Sequence, residues 1–217
     1  MKNDADLQLR VIEELKWEMN AVNATEIGVA VKDGVVTLSG NVHCFPEKWA
    51  AERAVKRILG VKAVAEEIKV ILPGSAERTD VDIARAAETA LEWNTMIPHD
   101  RVKVMVEDGK ITLEGQVDSN LQKVAAQNAL HYLTGVKGVD NRITVKPTAK
   151  PAEVKTDIEK ALMRYAQLDA RRIRVESLHD KVILHGNVRS WAERQEAEDA
   201  AWAAPGVAKV TNNISVT

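Results

Sequence analysis

Five histidines, one cysteine and several adjacent carboxylates are the side chains in this 217-residue chain that could make or break bonds. A nucleophile needs a base within hydrogen-bond reach, and a metal needs converging ligands. His43, His99, His131, His179 and His185 are scattered along the sequence. His179 and His185 lie either side of one predicted strand, with no cysteine or carboxylate at metal-ligand spacing. His43 and Cys44 are neighbours, but neighbouring side chains of an extended chain point apart. Cys44 reads as a poor helix cap, and Glu13-Glu14 and Glu66-Glu67 read as solvated faces. No glycine-rich loop ends in Lys-Ser or Lys-Thr to cradle a phosphate. The sequence therefore predicts no catalytic residue, no metal site and no cofactor.

Binding chemistry is better represented. There are five tryptophans against one phenylalanine and two tyrosines. Trp17 and Trp93 occupy equivalent places at the end of a predicted helix, with Tyr165 close to the third such place; Met96, Ile97 and Pro98 follow Trp93. An indole has an apolar body and a polar edge, which suits a membrane–water boundary. The competing reading, and the preferred one, is that Trp17 and Trp93 cap a core where helix meets sheet. Trp49, Trp191 and Trp202 fall at non-equivalent places on another helix, which suits either packing between repeats or a partner surface. Arg171, Arg172 and Arg174, with Arg189 and Arg194 nearby, form the one basic cluster and would suit anionic headgroups. Alternation along a strand splits that cluster between two faces, so a solvated face is the preferred reading.

These residues are positioned by a repeat. Gly40, Gly115 and Gly186 each end a short apolar strand; twenty residues on come Gly60-Val61, Gly135-Val136 and Gly206-Val207. Eight residues beyond those glycines begin Ile68–Val70, Ile143–Val145 and Ile214–Val216. Fixed internal spacing in three copies marks a tandem architecture. Each copy opens with an amphipathic helix: Leu7, Val11, Leu15; Ile83, Ala87, Leu91; Val154, Ile158, Leu162. Acidic residues such as Asp4 and Asp80 lead in, which suits the helix dipole. Alternating strands follow (Ile27, Val29, Val31; Val102, Val104, Val106; Ile173, Val175), then the hairpin turns Asp33-Gly34 and Asp108-Gly109. The third copy has His179-Asp180 there instead.

Each returning strand ends at the repeated glycine, read as a bulge or a close backbone approach to the next helix. Ser119-x-x-Gln122 and Ser190-x-x-Glu193 are capping boxes, whereas copy one offers Cys44 and Glu47. The second helix stops at Gly60, Gly135 or Gly206. A closing strand alternates again, through Val64–Val70, Val139–Val145 and Val210–Val216. The prediction is an α+β fold of three tandem αββαβ modules, each with two helices on one face of a three-stranded mixed sheet, over residues 1–72, 77–146 and 152–217. The repeated glycines Gly34, Gly40, Gly60, Gly109, Gly115, Gly135, Gly186 and Gly206 are read as structural.

Charge and composition narrow the partners. Basic against acidic residues number 10 to 11 in residues 1–73, 9 to 11 in 74–147 and 11 to 10 in 148–217, so no module has the positive field of a nucleic-acid binder. A single cysteine excludes an internal disulfide framework. The first ten residues contain no apolar run, so the chain as written is expected in the cytoplasm, or in the periplasm if an export signal has been removed.

The pattern Asp-Gly-x-[Val/Ile]-Thr-Leu-x-Gly-x-Val, then Gly-Val about twenty residues later and a closing Ile-x-Val strand, resembles the BON domain. Lys32 to Val42 and Glu107 to Val117 carry it fully; Val182 to Val188 carry it without the Asp-Gly turn. The resemblance implies a non-enzymatic, transport-associated or osmotic-stress module of the bacterial envelope that binds phospholipid or membrane-associated partners. The candidate surface is then Trp17, Trp93, Met96, Ile97, Trp191, Trp202, Arg171, Arg172 and Arg174. The alternative is a structural module that forms homo-oligomers or binds other proteins through open sheet edges.

Overall fold

The computed structural model describes residues 4–19, 24–146, 151–164, 172–178, 180–204 and 207–217. Among them are six helices and three mixed sheets. The first module runs α1 (Asp4–Glu18), β1 (Ile27–Lys32), β2 (Val35–Val42), α2 (Phe45–Lys56) and β3 (Ala63–Val70). The second runs α3 (Asp80–Glu92), β4 (Val102–Glu107), β5 (Lys110–Val117), α4 (Asn120–Leu130), β6 (Gly138–Asn141) and β7 (Thr144–Val145). The third runs α5 (Pro151–Arg164), β8 (Ile173–Leu178), β9 (Lys181–Val188), α6 (Trp191–Trp202) and β10 (Lys209–Val216).

Every sheet has the same plan. A hairpin pairs the first two strands antiparallel, and the crossover through the second helix brings the last strand in parallel beside the middle one. The register repeats too: Val35 faces Ala63, Lys110 faces Gly138 and Lys181 faces Lys209. Helix stripes at three- and four-residue spacing close over one sheet face, giving separate cores around Val36 and Leu38, Ile111 and Leu113, and Val182 and Leu184. In α6 the buried stripe is alanine, at Ala197, Ala200 and Ala201, so it removes less apolar area from water than its counterparts.

The second module departs from the expected continuous closing strand: β6 and β7 are separate pieces, both paired to β5. An inward-facing polar residue stands at the end of β6, and its counterpart in the third module leaves β10 unbroken. Asn141 turns its Oδ1 to accept from the Ile143 amide at 3.1 Å and donates from Nδ2 to the Lys123 carbonyl on α4. Asn212 makes the same two contacts, to Ile214 and Arg194, and Glu66 accepts from Ile68 while pairing with Lys48 at 2.7 Å. One polar side chain per module thus ties the last strand to the second helix.

The hairpin turns are as the sequence requires. Asp33 and Gly34 have φ of 53° and 82°, Asp108 and Gly109 of 49° and 76°, the type I′ pattern. The first helix has a role here beyond its dipole. Asp4 accepts from the amides of Asp33 and Gly34 at 2.8 and 3.2 Å, and Asp80 from Asp108 and Gly109 at 3.0 and 2.9 Å. The corresponding residue of the third module is Pro151, so that module lacks both the carboxylate and the Asp-Gly turn it would bind. Its residue His179 lies outside the described positions.

The glycine that ends the middle strand is a close approach, but not to the next helix. Gly40, Gly115 and Gly186 have φ of 121°, 140° and 139°. A Cβ on any of them would collide with a backbone carbonyl at the start of the first strand: Glu26, Arg101 or Arg172. Two strands meet there with no room for a side chain. Gly206, read as a helix stop, lies outside the described positions.

Gly115→Ala is therefore expected to lower stability by about 3 kcal/mol, the cost of an L residue in that conformation plus the clash. Gly74 has open space around its α-carbon, so Gly74→Ala should shift stability by less than about 1 kcal/mol. Urea unfolding of both variants checks the contrast.

Candidate functional site

The second helices set the relation between modules. Each begins just after its cap, at Phe45, Asn120 or Trp191, and ends near Lys56, His131 or Trp202. Ser119 and Ser190 accept from the Gln122 and Glu193 amides, while Cys44 makes no side-chain cap bond. Glu47, Gln122 and Glu193 reach back instead to the amides of His43, Asp118 and Arg189, each at 2.8 Å. The three helices then meet start to end.

Phe45, at the start of α2, packs into the core of the second module and meets the His131 ring edge-on at 5.4 Å, with Trp49 alongside at 4.9 Å. Trp202, at the end of α6, packs on the cores of both the second and third modules. On that same contact Glu198 of α6 offsets the burial that pushes the Lys123 ammonium of α4 down. Trp191, at the start of α6, packs on the first module's core and donates from Nε1 to the Lys62 carbonyl at 3.0 Å. Beside it the Gly60 amide donates to the Arg189 carbonyl at 3.3 Å. Module one contacts two, two contacts three, and three contacts one. These are head-to-tail contacts that close into a ring.

This placement corrects the candidate surface. Trp191 and Trp202 are half-buried between modules. Ile97 is a core residue, 4% exposed. The basic cluster is dispersed: Arg174 pairs with Glu176 at 3.0 Å, and Arg189 pairs with Glu193 at 2.8 Å. Arg194 donates to the Asn212 and Ile214 carbonyls and stacks 4.9 Å over Trp191. Arg172 also has a partner, and Arg171 and Tyr165 lie outside the described positions.

Trp17 and Trp93 do not cap the core. They are 85% and 83% exposed, on the last turn of α1 and at the end of α3. Met96 is exposed close by in sequence, and so is Tyr132 at the end of α4. Around Trp17 lies a groove of about 460 Å³ lined by Arg10, Glu13, Glu14, Trp17, Arg57, Ile58 and Leu59. Arg57 there is held by Glu14 and Glu18 at 3.0 and 2.6 Å, and its guanidinium keeps the Glu18 carboxyl below the usual carboxylate range. The equivalent positions in the second module, Ala86, Thr89, Ala90, Trp93, Tyr132, Leu133 and Thr134, are uncharged.

The groups weighed for chemistry are apart from this groove. Burial pushes the Cys44 thiol up, away from the reactive thiolate. No group of three or more metal-ligating side chains converges among the described residues. None of the described helices is long and apolar enough to cross a membrane.

The sequence matches the BON domain family model three times, at residues 3–71, 79–147 and 151–217. It is 32% identical over 129 residues to osmotically-inducible protein Y of Escherichia coli (strain K12). That alignment covers 58% of this chain and 64% of the relative, so the chain spans less than two thirds of that protein's length. Two solved structures of CdsD, a structural protein of the Type III secretion system of Chlamydia trachomatis, cover 99% and 98% of this chain and 99% and 92% of their own. Their identities are 13% and 15%, and both have a TM-score of 0.27, which supports no argument about this chain.

A titratable side chain lies at the contact between the first and second modules. His131 is 2% exposed and its Nε2 is shielded with no hydrogen-bond partner. Burial holds its imidazole below the ordinary value of 6.5. The folded chain therefore binds fewer protons than the unfolded chain just below pH ~6.5, and stability falls as pH drops through that window. Unfolding midpoints followed from pH 7 to pH 5 should decline, and His131→Phe should flatten the part due to this residue. An unchanged slope in that variant would exclude this contribution.

Proposed function

The chain belongs to the BON domain family, and from that premise we propose that it is a stress-associated, envelope-related protein that binds phospholipid surfaces through Trp17 and Trp93. The observation that carries this reading is the exposure of both indoles, 85% and 83%, at equivalent places on two modules. An indole ring with an apolar body and a polar edge suits a membrane–water boundary, and here two of them are presented to the outside. Trp17 and Trp93 stand at equivalent places on two modules of one chain, and linked weak contacts reinforce each other. The likeness to osmotically-inducible protein Y supports the stress association.

The arginine cluster does not contribute to this reading, because its described members are engaged within the chain. Insertion of indoles depends on apolar contact and a polar edge, and it is weakly screened by salt. The protein acts by attachment in this reading, and no reacting group is assigned.

Co-sedimentation with phospholipid vesicles tests the proposal. The wild-type chain should pellet with vesicles and do so almost equally at low and high salt. Trp17→Ala and Trp93→Ala should each weaken binding about tenfold, equivalent to ~1.4 kcal/mol. A wild-type chain that stays in the supernatant, or a double variant that pellets as well as wild type, refutes it.

A further inference from the structure

We propose that the Trp17 groove of the first module is a headgroup pocket for a zwitterionic phosphoethanolamine lipid. This rests on the membrane-surface reading and names the headgroup that the site would read. The argument is an inventory of charge. Arg57 is occupied by Glu14 and Glu18, and Arg53 shares Glu18. Two groups lining the groove are left over. Arg10 is half-buried, lines the groove and forms no ion pair among the described residues. Glu13 is exposed and forms no ion pair among the described residues. One cation and one anion therefore flank the same groove.

A groove-lining guanidinium with no carboxylate partner is met by an anionic oxygen. A purely anionic ligand would meet that need but would bring its charge against Glu13 and Glu14. A ligand that carries an ammonium beside its phosphate avoids the conflict: the phosphate takes Arg10, and the ammonium takes Glu13 and the face of the Trp17 ring. Leu59, 40% exposed on the same groove, offers the apolar wall along which an acyl chain can leave. The second module is the internal contrast. Ala86 and Thr89 stand where Arg10 and Glu13 stand in the first, so Trp93 would meet lipid without reading its headgroup.

The test uses the full chain, labelled with ¹⁵N and titrated separately with glycerophosphoethanolamine, glycerophosphoglycerol and inorganic phosphate. Glycerophosphoethanolamine should shift amides of residues 10–17 and 57–60. The other two compounds should bind at least about fivefold more weakly. Arg10→Gln and Glu13→Gln should each weaken glycerophosphoethanolamine about tenfold, with the unfolding transition of each variant checked against wild type. The wild-type comparison of the three compounds stands even if a variant folds poorly. Equal or tighter binding of glycerophosphoglycerol, equal binding of bare phosphate, or no shift at the groove overturns the proposal. Folded variants that bind glycerophosphoethanolamine like wild type overturn it as well. If the groove is silent while vesicles still bind through Trp17 and Trp93, the headgroup assignment falls and the membrane reading survives. If the soluble headgroup binds and vesicles do not, the reverse holds.

Discussion

A carbonyl oxygen set against a bare α-carbon fixes the shape of every module. At Gly40, Gly115 and Gly186 the middle strand passes so near the start of the first strand that a Cβ cannot be accommodated. That approach sets where the hairpin opens, and the chain leaves it directly toward the second helix. The pairing register, the position of the helix cap and the direction of the helix all follow from it. The same geometry recurs three times, so the three second helices are presented alike and can meet start to end.

What the sequence made legible was local. Asp33-Gly34 and Asp108-Gly109 adopt the left-handed turn that their residue types favour, and Ser119 and Ser190 accept the cap bonds their spacing implies. These depend on neighbours a few residues away. Asp4 and Asp80 were legible only in part. Their place in a first turn suits the dipole, but the amides they bind lie at the other end of a hairpin. The inward polar residues Glu66, Asn141 and Asn212 did leave a signal, a polar side chain on the buried side of an alternating strand. That signal marks where each closing strand is tied to its second helix.

The tryptophans were the least legible, for a physical reason. The same indole suits a core, an interface or a membrane surface, and only the tertiary neighbours decide. Trp17 and Trp93 sit at equivalent helix ends that point outward. Trp191 and Trp202 each pack on the core of another module. Phe45 supplies a ring from the start of its helix and meets His131; Trp202 supplies one from the end of its helix. No periodicity within one module could reveal a partner carried by another. Ile97 likewise belongs to the core although it follows an exposed loop residue, Met96.

The contact between the third module and the first has a consequence for synthesis. Each module holds its own core and can condense as it leaves the ribosome, since domains fold largely as units from the amino end. The place that Trp191 fills on the first module, however, waits while more than a hundred residues are added. Until then a nascent chain carries an open apolar seat near Lys62, the stage at which a neighbouring chain or a chaperone can reach it. A later-made module is thus the part that shields an earlier one.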